Sequence, residues 1–167
     1  MNNLKIFRMA EDVILPKFAT EGSACFDINC YIPHGQGIKT SSLLNQPITR
    51  ASVQGSFDLH PGYRALIPTG LCFDIPENHV LKIYSRSGFS WNAGIILTNS
   101  VAIIDNDYVE QVFISVCNVS EFVFAFKNGD RIAQAMLEKV QDYSINEIAE
   151  KPLTKTKRTG GFGSTGI

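Results

Sequence analysis

The stretch YRALIPTGLCFDIPENHVLKIY, Tyr63–Tyr84, decides the fold. It holds two runs of aliphatic and β-branched residues parted by Pro76-Glu77-Asn78, a turn signal. Neither run spaces its apolar residues at i, i+3 and i+4 as an amphipathic helix would, so both read as strands, Tyr63–Ile75 and His79–Tyr84. The same rhythm extends outward. Strands are expected around Leu4–Met9, Phe26–Tyr31, Gly94–Leu97, Gln111–Asn118, Glu121–Phe126 and Arg131–Val140. Pro61-Gly62 and Lys127-Asn128-Gly129-Asp130 mark further turns, Asn118-Val119-Ser120-Glu121 a hairpin connection, and Ser87–Asn92 one short helical turn. The pattern is that of an all-β domain.

With 167 residues the chain has the length of one domain, or one plus a tail. Its apolar share of 44% supplies a core and argues against wholesale disorder. Fifteen Lys and Arg against sixteen Asp and Glu leave a net charge of -1, without the basic excess that duplex DNA or an anionic membrane demands. No apolar run approaches the roughly 18 residues of a membrane span. The opening MNNLKIFRMAEDVILPKF lacks a signal-peptide layout, because charges interrupt each apolar stretch. Cys25, Cys30, Cys72 and Cys117 show no C-x-x-C spacing and no paired His, which offers nothing to zinc. Free, buried thiols in a reducing compartment are expected, hence a cytoplasmic protein, or one of the host cytoplasm if virus-encoded.

Two segments break the strand rhythm. Residues 34–57, HGQGIKTSSLLNQPITRASVQGSF, are polar and weakly patterned and read as a long loop insertion. The C-terminus, KPLTKTKRTGGFGSTGI, carries four cations from Lys151 to Arg158 and then Gly160, Gly161, Gly163 and Gly166. The division expected is a β domain over 1–150 and a flexible arm over 151–167.

Three places could carry chemistry. In Arg158–Gly166, glycines let backbone N–H groups approach an anion, Arg, Ser and Thr add donors, and Phe162 could stack on a flat ring; a loose Gly/Ser tail is the alternative. No Gly-Lys-Ser/Thr follows, so it is not a Walker loop. Tyr84-Ser85-Arg86-Ser87-Gly88, at a strand end, is either a phosphate cradle or a surface turn. Ile103-Ile104-Asp105-Asn106-Asp107-Tyr108 offers a carboxylate that could act as general base on water, or a hairpin turn with Asx bonding.

Taken in order, GSACFDI, SRSG, IIDNDY, GDRIAQ and RTGGFGSTG resemble the five ordered motifs of the trimeric deoxyuridine triphosphate nucleotidohydrolases, the dUTPases. The resemblance spans nearly the whole chain apart from 34–57. It implies a distorted jelly-roll, β-clip subunit and a homotrimer whose sites draw motifs from all three chains. It further implies hydrolysis of dUTP to dUMP and pyrophosphate with Mg²⁺, limiting uracil in DNA and supplying dUMP for dTMP synthesis.

Residue by residue, Asp105 matches the general base that activates water for attack on the α-phosphorus. Asp27 matches an acidic residue near the metal-bound waters, a pairing with Arg131 being the structural alternative. Arg86, Ser87 and Gly88 match the motif that holds the α- and β-phosphates. Asn99 matches the asparagine of a uracil-binding hairpin over Gly94–Phe113, lined by Ile103, Ile104 and the Phe113 backbone. Fixed donors and acceptors there reject cytosine by leaving buried groups unpaired. Tyr108 matches the residue packed on deoxyribose, which leaves no room for a 2′-hydroxyl. Gln134 matches a polar contact near the γ-phosphate, with Arg131 and Ile132 architectural. Arg158 matches the γ-phosphate clamp, Phe162 the stacking ring, and Gly163, Ser164 and Thr165 the phosphate lid. Mg²⁺ would be held by triphosphate oxygens and water, in keeping with its reluctance to dehydrate.

The sequence departs from the family at Ala102 and Cys25, where glycines are usual, and at Val109-Glu110-Gln111, which replaces a Gly-containing ending. Such glycines can shape a bulge near the sugar pocket. A dCTP deaminase is the rival enzyme, but the strand Val112–Asn118 lacks the carboxylate that chemistry needs. A regulatory protein of the same fold, docking a protein partner through 34–57, is the other alternative.

Overall fold

The computed structural model describes residues 3–157 and Gly160. Thirteen strands and one short helix are assigned: β1 (Lys5–Arg8), β2 (Phe26–Asn29), β3 (Gly37–Ser41), β4 (Pro47–Ala51), β5 (Ser56–Leu59), β6 (Arg64–Pro68), β7 (Leu71–Asp74), β8 (His79–Tyr84), α1 (Ser87–Ala93), β9 (Ile95–Leu97), β10 (Val101–Ile104), β11 (Phe113–Asn118), β12 (Phe124–Lys127) and β13 (Arg131–Lys139). A four-stranded sheet runs β10-β8-β13-β2 and a five-stranded one β4-β3-β6-β11-β9, with two-stranded ribbons β1-β7 and β12-β5. Every pairing is antiparallel. The result is the expected all-β, jelly-roll-like fold.

Alternation builds the core. Leu81 and Ile83 of β8, Ala133 and Ala135 of β13 and Ile28 of β2 are buried, as are Ile38, Ala65, Ile67, Ile114 and Val116 of the five-stranded sheet, in one apolar cluster. Each fully buried Ile or Leu contributes about 1.5–3 kcal/mol. An edge-on chain of rings, Phe89–Phe124 at 5.1 Å and Phe124–Phe126 at 4.9 Å, fastens α1 to the β12-β5 ribbon.

The structure corrects three expectations. Residues 34–57 are not a loop. β3 and β4 form a hairpin in register from Gly37↔Ala51 to Ser41↔Pro47, β3 joins β6, and β5 begins inside the segment. Its inward positions in β3 are Ile38 and Thr40, the latter buried with its hydroxyl donating to Ile48 O at 3.3 Å. A buried threonine hides the period-2 signal.

Tyr63–Ile75 is not one strand. Gly70, at φ +67°, turns the chain between β6 and β7, where a Cβ would come within 2.6 Å of Val13 Cγ2. Asn118–Glu121 is not a hairpin either, since β11 pairs with β6 and β9 while β12 pairs with β5. The buried Asn118 amide holds this corner, donating to Leu59 O (2.9 Å) and Phe122 O (2.7 Å) and accepting from Ser120 N (3.0 Å) and Ser120 Oγ (2.7 Å).

The four cysteines are free thiols, but only Cys30 is fully buried. No helix among the described residues is long and apolar enough to cross a membrane. Beyond Val140 the described residues form no strand or helix, and Tyr143, Ile145, Ile148 and Leu153 are exposed.

Candidate active site

One row across the four-stranded sheet gathers most of the motifs. Asp27 of β2 pairs with Gln134 of β13, Gln134 with Tyr84 of β8, and Tyr84 with Val101 of β10. Directly opposed residues share a face, the one turned away from the core here. Tyr84 leads into Ser85 and Arg86, and Val101 follows the Thr98-Asn99-Ser100 turn, where Ser100 lies at φ 61°.

Ser85 is the junction. Its hydroxyl accepts from Leu97 N at 3.2 Å and its carbonyl from Gln134 Nε2 at 2.9 Å. Beyond it, Ser87 and Gly88 open α1 and are exposed. Ser90 Oγ donates to Arg86 O (3.0 Å) and Ser87 O (3.2 Å), and Gly94, left-handed at φ 64°, closes the helix. The short helix forms because serine ties its first turn and glycine adopts the cap conformation.

Arg86 turns back onto Asp27. Its Nε lies 2.8 Å from Asp27 Oδ1, and its Nη1 donates to Arg131 O at 3.1 Å. Arg131 Nη1 reaches the other oxygen, Asp27 Oδ2, at 3.1 Å. The Asp27 side chain is only 16% exposed, so both guanidinium groups converge on a half-buried carboxylate.

Asp105 lies elsewhere. β10 runs from Val101 beside Tyr84 to Ile104 beside Leu81, so Asp105 follows the far end of the strand, roughly 13 Å from the row at about 3.3 Å per residue. There it borders a cleft of about 620 Å³ with Ile103, Lys82, Glu138 and Lys139. Lys82 Nζ lies 2.7 Å from Glu138 Oε1, and that hydrogen bond lifts the lysine above its ordinary range. Asp105 itself is exposed, and its carbonyl accepts from Tyr108 N at 3.2 Å to close the turn. Tyr108 OH donates to Gln111 O at 2.9 Å.

The structure therefore joins Asp27, Arg86 and Gln134 directly, and links Asn99 to them through Ser85 and Leu97. Asp105, Ile103, Ile104 and Tyr108 belong to the other end of β10, and Phe113 to the five-stranded sheet, opposite Pro68. Asn99, Ile103, Asp105, Tyr108 and Phe113 are exposed in the single chain. The arms of the expected hairpin separate between sheets, β9 on β11 and β10 on β8. Arg158, Phe162, Gly163, Ser164 and Thr165 lie outside the described residues.

At the departures, Ala102 stays in the ladder opposite Ile83 without a register shift. Gln111 is tied down, its side-chain oxygen accepting from Gly70 N at 3.0 Å. The sequence placed Ser85 within the SRSG motif but not its junction role, which depends on contacts to Leu97 and Gln134. Sequence reasoning passed over Lys82, detectable as a cation on the outward positions of β8.

A family model described as dUTPase matches residues 51–166, more than half of the chain. The chain belongs to the dUTPase family. A deoxyuridine 5′-triphosphate nucleotidohydrolase of Neorickettsia sennetsu is 33% identical over 157 residues, covering 93% of this chain and 90% of the relative. One of Chlamydia trachomatis serovar L2 is 34% identical over 152 residues, with 91% and 90% covered. Among solved structures, a mutant dUTPase of Staphylococcus bacteriophage 80alpha with dUpNHpp superposes with a TM-score of 0.76 at 18% identity, over the full length of both chains. A dUTPase of phage phi11 of S. aureus, solved to describe coordination of a structural Mg(II) ion, gives 0.67 at 18% identity, over 89% of this chain and 98% of that one. For a dUTPase-family chain, the Asp27–Gln134–Tyr84–Val101 row is where three of the five motifs approach one another.

Proposed function

We propose that this dUTPase-family protein hydrolyses dUTP to dUMP and pyrophosphate, removing dUTP from the pool that supplies DNA synthesis and supplying dUMP for dTMP. The observation that carries this reading is the Ser85 junction, which ties the base-binding hairpin, through Leu97 N, to the phosphate-binding strand end and to Gln134. The junction fixes each protomer's cradle against its own hairpin. A site made from one protomer's hairpin and its partner's cradle then has its spacing set by how the protomers pack, and such fixed spacing is what selective binding of one base requires.

In this mechanism Asp105 accepts a proton from water as it attacks the α-phosphorus, and pyrophosphate leaves. Arg86, Ser87 and Gly88 orient the α- and β-phosphates, Gln134 meets the γ-phosphate end, and Asn99 reads uracil beside Ile103, Ile104 and the Phe113 backbone. Tyr108 packs on deoxyribose. Arg158 clamps the γ-phosphate, Phe162 stacks on the base, and Gly163, Ser164 and Thr165 close over the phosphates.

The donor set fits a metal carried by the substrate. Both Asp27 oxygens are engaged by arginines, and no group of three or more His, Cys, Asp or Glu among the described residues could cage an ion. Mg²⁺ held by triphosphate oxygens and water would neutralise charge and favour in-line geometry.

The roughly 13 Å between Asp105 and the cradle row supports sites shared between chains. A homotrimer supplies the base from one protomer and the cradle from its partner, and the exposed Ile103, Tyr143, Ile145 and Ile148 provide apolar surface for that assembly. Leu43 and Leu44, 80% and 78% exposed at the tip of the β3-β4 hairpin, favour a protein partner there as a second role.

Pyrophosphate release across the nucleoside triphosphates tests the reading. Turnover of dUTP should far exceed that of dCTP, dTTP or UTP, and equal turnover of dCTP would sink it.

A further inference from the structure

Asp27 stands opposite Gln134 and faces two guanidinium groups, one oxygen to each: Arg86 Nε at 2.8 Å and Arg131 Nη1 at 3.1 Å. Arg86 is held a second time, through Nη1 to the Arg131 carbonyl at 3.1 Å. Those contacts occupy Nε and Nη1 and leave Nη2 as the edge of the guanidinium with no partner among the described residues. Arg86 is also the residue from which α1 departs, so its orientation sets the edge facing any anion at Ser87 and Gly88. A free arginine side chain loses considerable rotamer entropy on binding, whereas one already fixed by a half-buried carboxylate does not. Remove the carboxylate, and Arg86 and Arg131 are left as neighbouring like charges that separate.

We propose that Asp27 is the positioning residue for Arg86, a carboxylate clamp that aims Nη2 at the substrate phosphates. This rests on the hydrolase reading above and deepens it. Asp27 Oδ1 forms an ion pair with Arg86 Nε and Oδ2 accepts a charge-assisted hydrogen bond from Arg131 Nη1, and the neutral amide of asparagine can match at most one of the two. The clamp and the metal-water role therefore predict different failures. Loss of a clamp weakens nucleotide binding at every metal concentration. Loss of a water partner weakens the response to metal.

The experiment uses the full chain and compares wild type, Asp27→Asn, Arg86→Lys and the double variant in pyrophosphate release, varying dUTP and Mg²⁺ independently. Lysine lacks the guanidinium Nε that lies 2.8 Å from Asp27 Oδ1. The expected result is a KM for dUTP raised by about tenfold to a hundredfold in Asp27→Asn, the scale of losing one contact between charged groups. Half-saturating Mg²⁺ should be unchanged, and adding Asp27→Asn to Arg86→Lys should cost little more. A raised Mg²⁺ requirement at unchanged KM for dUTP would overturn the proposal, as would losses that multiply in the double variant.

A second measurement needs neither turnover nor a folded Asp27→Asn protein. In wild type the Arg86 Nε–H resonance, assigned by its absence in Arg86→Lys, should be shifted and slow to exchange with water; an unshifted, fast-exchanging signal would overturn the clamp. A wild-type protein that leaves dUTP intact would sink the hydrolase reading instead, and the resonance would still decide the clamp.

Discussion

Asn118→Ala should be among the most damaging single changes outside the site. The Asn118 side chain is fully buried and its amide has four hydrogen bonds, two given to Leu59 O and Phe122 O and two taken from Ser120. At about 1 kcal/mol net per bond, with Leu59 O left short of a partner inside the protein, the loss comes to about 3–5 kcal/mol. For a chain of this size each kcal/mol lowers Tm by about 2–4 °C, so the midpoint should fall by roughly 6–20 °C. Ser120→Ala removes only the hydroxyl's contacts and should cost about 1 kcal/mol. Thermal and urea unfolding at one fixed protein concentration check both, because assembly would make the midpoint concentration-dependent. The corner also reaches the site, since Val119 N donates to Gly94 O at 2.9 Å, at the end of α1. Asn118→Ala should therefore lower kcat/KM at temperatures where the protein is still folded. A loss below about 1 kcal/mol would refute the view that this amide holds the corner.

Asp105→Asn should lower kcat by more than about a thousandfold while a non-hydrolysable dUTP analogue still binds, measured by single-turnover kinetics and calorimetry; full activity would remove Asp105 from the mechanism. Cutting the chain after Lys157 should cripple turnover yet leave the assembly intact by light scattering, and a monomeric product would contradict a lid role for the arm. Burial, with the Asp130 charge second, pushes the Cys30 thiol from an ordinary 9.0 up to about 11. Its folded value is the higher one, so the stability it contributes is complete below pH 9 and lost as the pH rises toward 11, by about 2–3 kcal/mol. Wild type and Cys30→Ala should therefore converge in stability over that window, and parallel curves would show that the thiol does not titrate there.

How much was legible in the sequence depended on side-chain type. β8 and β13 carry dense aliphatic patterns, and both strands emerge where expected. β3 offers a single inward aliphatic, Ile38, and fills its other inward position with Thr40, so a paired strand looks like polar loop. Gly70 stands among apolar residues as any strand glycine might, and only its approach to Val13 and positive φ reveal the break. The site divided in the same way. Asp105, Arg86 and Gln134 were legible as types in a pattern, because motifs preserve local order. That Asp27 meets Arg86 was not, because the contact depends on β13 lying between β2 and β8, a fact of strand pairing that no local spacing encodes.

The placement of Asp105 and Arg86 at opposite ends of one sheet has a consequence for inheritance. If each site takes its base from one protomer and its cradle from another, a chain damaged at Asp105 still lends a sound cradle, and a chain damaged at Arg86 still lends a sound base. Two alleles, each inactive alone, complement when their products mix, and about a quarter of the sites in an equal, random mixture are whole. The unit on which selection acts is then the pool of chains rather than any one of them.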